Sequence, residues 1–85
     1  MIMYGMEDCP DCREAEKRLI DDGAEFEYRQ IGKKVIWMKK FLKLRDHEAC
    51  FDEVRKKGKI GIPCFVLPSG GVCLSLEDAL SEREI

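Results

Sequence analysis

The chain opens with a short apolar run, residues 2–4, that is followed by Gly5. This pattern predicts a buried first strand that ends in a turn. The next apolar positions lie three or four residues apart and share one helix face: Cys12, Ala15 and Leu19. Pro10 suits the first position of this helix, because its φ angle is already near the helical value and it has no N–H to lose. Gly23 is placed to end the helix.

After Gly23 the pattern changes to alternation with a period of two. Phe26 and Tyr28 alternate with charged residues, which predicts a half-buried strand that reaches about Ile31. The first strand, the helix and this strand form a β-α-β unit. A right-handed crossover makes its two strands parallel.

A lysine-rich segment follows, and its apolar residues recur at helical spacing: Trp37, Met38, Phe41, Leu42 and Leu44. This spacing predicts an amphipathic helix. Asp46 is placed to cap a second, short helix that carries Phe51 and Val54. Gly58 is placed to end that short helix.

The last third of the chain predicts a hairpin and a final helix. Residues 64–67 are an apolar run typical of a buried strand, residues 68–71 are a tight turn, and residues 72–74 are a returning strand. A final helix begins at about Leu76, capped by Ser75 or Ser81, with Leu76 and Leu80 facing the core. The predicted fold is α/β, in the order βαβ-α-ββα, with a four-stranded mixed sheet flanked by helices.

Length, composition and charge narrow the class of protein. Eighty-five residues, 45% of them hydrophobic, predict one globular domain over residues 1–85. No apolar run approaches the ~18 residues of a membrane span, and the first ten residues lack a secretion signal. Residues 29–60 carry eleven basic and four acidic side chains, but the net charge is −2. Because a broad positive field is missing, we expect a solvated helix face and no binding to nucleic acid. We also expect a monomer that does not bind to a membrane.

Cysteine usage points to a reducing compartment. The chain has five cysteines, and an odd number argues against the fully paired framework of a secreted protein. In a reducing compartment such residues are more often catalytic or metal-binding. We therefore expect a cytoplasmic protein.

The motif Cys9-Pro10-Asp11-Cys12 carries the clearest chemistry. It lies between a predicted strand and a predicted helix of a β-α-β unit, the context in which C-x-x-C indicates a redox motif. A cysteine at a helix N-terminus meets unpaired N–H groups and the positive end of the helix dipole, which favour a thiolate. Cys9 occupies that place and is predicted to attack. Cys12 lies one turn further on, within the separation that a disulfide spans, and is predicted to resolve the mixed disulfide.

The same spacing is compatible with half of a zinc or iron–sulfur site. A closed zinc site needs four ligands. The sequence has no second C-x-x-C, and His47 has no histidine partner at a ligand spacing, so redox chemistry is favoured over metal binding. The alternative is a protein that uses the same cysteines to bind zinc, or to hold an iron–sulfur cluster by Cys9 between two protomers. No metal ligand is assigned within the chain.

The motifs together resemble glutaredoxins over nearly the whole chain. CPDC, Gly61-Ile62-Pro63 and Gly70-Gly71 are similar to the family's C-P-x-C, T-V-P and paired-glycine motifs. The resemblance implies a thioredoxin-like fold of the glutaredoxin type, with a cis Pro63 beside Cys9. It also implies that Ile62 offers its backbone N–H and C=O to the substrate, and that Gly70 and Gly71 belong to the substrate-binding surface.

Several positions depart from that family pattern. The basic residue that meets a carboxylate of glutathione is replaced by Met6, and the threonine of T-V-P is replaced by Gly61. Acidic residues follow Met6, and three lysines are the candidates to compensate for the lost charge: Lys33, Lys34 and Lys59. We therefore expect weakened recognition of glutathione as a co-substrate.

The predicted function is reduction of protein or glutathione mixed disulfides by the Cys9–Cys12 dithiol, with no resident cofactor. The predicted partners are disulfide-containing proteins and glutathione. Of the other cysteines, Cys64 is predicted to be a buried small hydrophobe. Cys50 and Cys73 are predicted to be structural or incidental, and His47 to lie on the surface.

Overall fold

The computed structural model describes residues 1–83, which form four strands, four α-helices and one 3₁₀ turn. The strands are β1 (Ile2–Gly5), β2 (Glu27–Gln30), β3 (Cys64–Val66) and β4 (Val72–Cys73). The helices are α1 (Pro10–Asp21), α2 (Val35–His47), α3 (Asp52–Lys56) and α4 (Leu76–Arg83), and the 3₁₀ turn is Ala49–Phe51.

The strands form one mixed sheet in the order β2-β1-β3-β4. β1 runs parallel to β2, across α1, with Met3 opposite Tyr28. β3 runs antiparallel to both of its neighbours, with Tyr4 opposite Cys64 and Phe65 opposite Cys73. The predicted α/β class and the four-stranded mixed sheet are therefore confirmed.

Apolar residues fill both faces of the sheet, since successive side chains of a strand point to opposite faces. The first cluster contains side chains of α1 and α4: Met3, Cys12, Ala15, Leu19, Phe65, Leu67, Ala79 and Leu80. The second cluster contains side chains of α2 and the 3₁₀ turn: Tyr4, Ile31, Phe41, Phe51 and Cys64. The sheet thus separates two cores, and the first one includes a cysteine of the CPDC motif.

The predicted signals at the ends of α1 and α4 are confirmed. Pro10 is the first residue of α1, and Gly23 follows the helix with a φ angle of 70°. The Asp78 N–H donates a hydrogen bond of 3.3 Å to Ser75 Oγ, so Ser75 rather than Ser81 caps α4. Leu80 is buried, and Leu76 packs against the first cluster.

The prediction that Asp46 caps a new helix is wrong. α2 continues through Asp46 to His47 and ends at Glu48, whose backbone is extended. The reason is a contact from α3, because the Arg55 guanidinium donates hydrogen bonds to the Arg45 and Glu48 carbonyls at the end of α2. The short helix is also divided into the 3₁₀ turn and α3, and the predicted end at Gly58 is confirmed by its φ angle of 68°.

Among residues 1–83, none of the helices combines the length and apolar character that crossing a bilayer requires.

Candidate dithiol site

The first thiol of the site lies at the N-terminus of α1. Cys9 is the N-cap residue, with an extended backbone, and its Sγ accepts a hydrogen bond of 3.2 Å from the Cys12 N–H. Its own N–H donates to the Met6 carbonyl at 3.2 Å, which fixes the turn between β1 and α1. Cys9 is half-buried. Its sulfur is therefore held against the positive end of the helix dipole, where negative charge is favourable.

The second thiol lies inside the molecule. Cys12 has 0% exposure and belongs to the first cluster, beneath α1. Burial, with the interaction of Cys12 with Cys9 acting in the same direction, raises the pKa of the Cys12 thiol to about 12. The two cysteines of the motif are thus unequal, since one is accessible at a helix N-terminus and the other is a buried, protonated thiol.

Gly5 makes the space in which the second thiol lies. A Cβ atom added to Gly5 would lie 2.9 Å from Cys12 Sγ and 3.0 Å from Tyr28 Oη. Both atoms therefore point into the volume that any other residue of β1 would fill. Tyr28 reaches this point from β2, and its hydroxyl is buried with no hydrogen-bond partner among the described residues.

A loop ending in Pro63 borders the motif. The Ile62–Pro63 peptide bond is cis, which confirms the expectation for Pro63. Ile62 and Pro63 line two grooves together with Asp11 of the motif, one of about 510 Å³ and one of about 460 Å³. The larger groove runs along α1 toward Glu77, and the smaller one extends to Lys59.

Gly61 has a structural reason to be glycine. Its φ angle is 95°, in the left-handed region, and a Cβ atom there would lie 2.6 Å from Cε1 of the buried Phe51 ring. A threonine at this position is therefore excluded by both backbone and packing. The departure from T-V-P follows from how the Pro63 loop packs on the second cluster.

A third groove, of about 290 Å³, lies on the other side of the motif between Met6, Glu7, Asp8 and Lys33. The Lys33 ammonium lies 3.5 Å from the Glu7 carboxylate, and both side chains are exposed. Lys34 instead places its ammonium over the Trp37 ring, 4.5 Å from the centroid. Of the lysines considered, Lys33 lies beside Met6 and Lys59 beside Pro63.

The structure does not bring Gly70 and Gly71 to the motif. They form the turn between β3 and β4, with hydrogen bonds of 2.8 Å that join both residues to Leu67. Since β3 is antiparallel to β1, this turn lies beyond Ile2, at the end of β1 opposite to Cys9. Leu74, just after β4, lines both grooves at Pro63 instead.

The remaining cysteines differ in exposure. Cys64 is fully buried, as predicted, and burial raises the pKa of its thiol to about 12. Cys50 is exposed, and Cys73 is half-buried with its Sγ 3.6 Å from the Ser75 carbonyl. His47 lies on the surface, as predicted. Within the described part of the chain, no three side chains of Cys, His, Asp or Glu converge as ligands for a metal ion.

Comparison with known proteins gives one informative relationship. An uncharacterized protein of Haemophilus influenzae is 35% identical over 75 residues, which are 88% of this chain and 87% of that protein. The chain belongs to the family of this protein. No protein-family model matches the chain, and no solved structure matches it either. The relationship covers most of both chains and names no activity.

Sequence reasoning identified the two thiols and the Pro63 loop but missed the role of β1 and β2 beneath them. Gly5 was predicted only to end a strand, and Tyr28 only to fill a half-buried position. The signal that could have identified Gly5 and Tyr28 is a glycine in the strand before C-x-x-C, next to a strand with an inward-facing tyrosine. This signal can be used only when the strand register is known, which places Gly5 opposite Gln30.

Proposed function

We propose that this protein is a cytoplasmic thiol-disulfide oxidoreductase that resembles glutaredoxins. The observation that carries the proposal is the inequality of the two thiols. Cys9 caps α1 and accepts the Cys12 N–H, whereas Cys12 is fully buried one turn further on. This arrangement suits an attacking thiolate and a resolving thiol that acts only after the first has reacted.

The proposed reaction has two exchange steps. The Cys9 thiolate attacks one sulfur of a substrate disulfide, so that the Cys9–substrate bond forms, the substrate S–S bond breaks and one substrate thiol leaves with a proton from solvent. Cys12 then loses its proton to solvent and attacks Cys9 Sγ, which releases the second substrate thiol. The substrate gains two electrons, and the protein is left with a Cys9–Cys12 disulfide that an external thiol, such as glutathione, reduces.

The geometry around Pro63 supports an extended substrate segment. Ile62 and Pro63 border the motif on the side where two grooves meet Asp11. In the proposed complex the Ile62 backbone hydrogen-bonds the substrate, as the resemblance to glutaredoxins implies. Leu74, rather than Gly70 and Gly71, supplies the neighbouring wall.

The fold supports the same proposal. A thioredoxin-like fold is part of the proposal, and the strand order β2-β1-β3-β4, with α1 and α4 on one face and α2 on the other, is compatible with it. The motif lies where β1 passes into α1. Ligands of open α/β sheets commonly bind at the carboxyl ends of strands.

Trapping the mixed disulfide tests the proposal. Cys12→Ser is expected to accumulate a covalent adduct between Cys9 and a disulfide-containing peptide, whereas Cys9→Ser is expected to lose disulfide reduction. Cys50→Ser is the matched control, because Cys50 is exposed but lies outside the motif. Mass spectrometry of the adduct locates the bond. Equal reduction by the Cys9 and Cys12 variants would reject the assignment, and metal analysis of the purified protein separates it from the cluster-binding alternative.

A further inference from the structure

Among the described residues, the Tyr28 hydroxyl is a polar group without an explanation so far. It is buried, and within residues 1–83 no donor or acceptor pairs with it. A buried hydroxyl without a partner costs stability, so a group in this state calls for an explanation. The same ring in a phenylalanine would fill the space without that cost.

The position of the Tyr28 hydroxyl, close to the Cys12 sulfur, explains why it is retained. Cys12 Sγ and Tyr28 Oη lie 2.9 and 3.0 Å from a single point, the site of a Cβ atom on Gly5. The distance between the two atoms therefore cannot exceed the sum of those lengths. Because Gly5 has no side chain, no side-chain atom of that residue lies between the sulfur and the hydroxyl.

Burial keeps the hydroxyl protonated. It raises the pKa of Tyr28 to about 12, and Cys12, Glu16, Cys9 and Glu7 act in the same direction, because a negative charge on any of them disfavours a second one. After burial, Cys12 is the largest of these causes. Tyr28 is therefore a hydrogen-bond donor throughout the neutral and mildly alkaline range.

We propose that Tyr28 donates a hydrogen bond to the Cys12 thiolate as that thiolate forms and attacks the mixed disulfide on Cys9. This assignment rests on the proposed function and concerns its second step alone. Cys12 is a buried thiol, so the cost of ionising it opposes the resolving step. A phenol that already lies buried near the sulfur, with no other partner among the described residues, stabilises the anion without having to give up a hydrogen bond.

The two steps separate in the reaction with an aromatic disulfide, 5,5′-dithiobis(2-nitrobenzoate). Attack by Cys9 releases one coloured thiolate, and attack by Cys12 on the adduct releases the second. The protein used is the full chain with Cys50→Ser and Cys73→Ser. Tyr28→Phe is expected to slow the second release by about tenfold or more, the usual effect of a hydrogen bond to a charged group, and to leave the first nearly unchanged.

Tyr4→Phe is the matched control. Tyr4 lies on the neighbouring strand and in the second cluster, and its hydroxyl accepts a hydrogen bond of 2.9 Å from Arg29. Its loss is expected to leave both releases unchanged. The pH profile gives an independent readout, because losing a donor to the thiolate raises the pH at which the second release becomes fast. Tyr28→Phe is also expected to be at least as stable as the parent in urea, since it removes an unpaired buried hydroxyl.

Some outcomes of this experiment test the proposed function and this inference together, and others test the role of Tyr28 alone. A parent protein that never releases the second thiolate rejects the dithiol cycle and this inference with it. A normal second release in the parent, unchanged within twofold by Tyr28→Phe, overturns the role of Tyr28 alone. Equal slowing of both releases also overturns it, because that pattern describes a general packing effect.

Discussion

Replacing Gly5 by alanine perturbs the candidate site through a single methyl group. The new Cβ would lie 2.9 Å from Cys12 Sγ and 3.0 and 3.1 Å from two atoms of the Tyr28 side chain. Favourable contacts between such atoms lie at about 3.5 to 4.0 Å, so the two side chains must move by roughly half an ångström or more. Cys12 is held in α1 and fully buried, so it cannot swing into solvent.

The expected cost follows from overpacking a core, which typically destabilises a protein by about 1 to 3 kcal/mol. For a domain of this size that corresponds to a fall in Tm of about 5 to 20 °C. Urea unfolding of the reduced protein, followed by circular dichroism, measures the free energy directly. The Cys12→Ala background gives a second test, because Gly5→Ala should cost less there once its nearest neighbour is gone.

Gly71→Ala is the matched control for this experiment. A Cβ atom on Gly71 would have its nearest neighbours at 3.5 Å, which is ordinary contact. We expect that variant to stay within about 0.5 kcal/mol of the parent. If Gly5→Ala is as stable as Gly71→Ala, the close approach of β1 to the buried thiol is not a constraint on the fold, and the reasoning about Gly5 is wrong.

Three further predictions concern the thiols and the charges around them. Iodoacetamide at neutral pH should modify Cys9 first, as peptide mapping would show, and faster labelling of Cys50 would contradict the assignment. The free energy of unfolding of the reduced protein should fall as pH rises from about 9 to 12, because the buried Cys64 thiol keeps its proton to about pH 12 when folded but loses it earlier when unfolded. Cys64→Ala should flatten that slope, and an unchanged slope would exclude this source. Lys33→Glu should raise KM for a glutathionylated peptide several-fold, less so at high salt, whereas Lys34→Glu should not; equal effects would contradict the placement of Lys33.

Local signals predicted the parts of this fold that local chemistry decides. Pro10 and Gly23 bound α1 as expected, since each acts through its own backbone. Ser75 caps α4 through a hydrogen bond to a residue three positions away. These contacts lie within one turn, so the sequence contains all that is needed to predict them.

The errors come from contacts between residues distant in sequence. Asp46 has the chemistry of a cap, but Arg55 binds the carbonyls at the end of α2 and so the helix continues to His47. Gly70 and Gly71 match a family motif as a pair, whereas the antiparallel register places their turn beyond Ile2, away from Cys9.

The candidate site also combines features that local sequence specifies with one that depends on strand pairing. Cys9 and Cys12 belong to one motif of four residues, and their unequal burial follows from where α1 begins. The approach of Tyr28 to Cys12 instead depends on the pairing of β1 with β2, which sets Met3 opposite Tyr28. No spacing along the chain specifies that register, so the buried hydroxyl beside the thiol becomes visible only in three dimensions.

Because the two cores lie on opposite faces of the sheet, the residues around the Cys9–Cys12 motif and the surface residues of α2 can change independently. Cys9, Cys12 and Tyr28 pack on the first cluster, whereas the basic helix α2 packs on the second. Exchange of residues 33–57 between members of this family would therefore transplant a surface charge pattern without repacking around the Cys9 and Cys12 sulfur atoms. Ile62 packs against both clusters and is where such a graft would meet the dithiol. The join of a chimaera belongs before that residue, in the segment after Gly58.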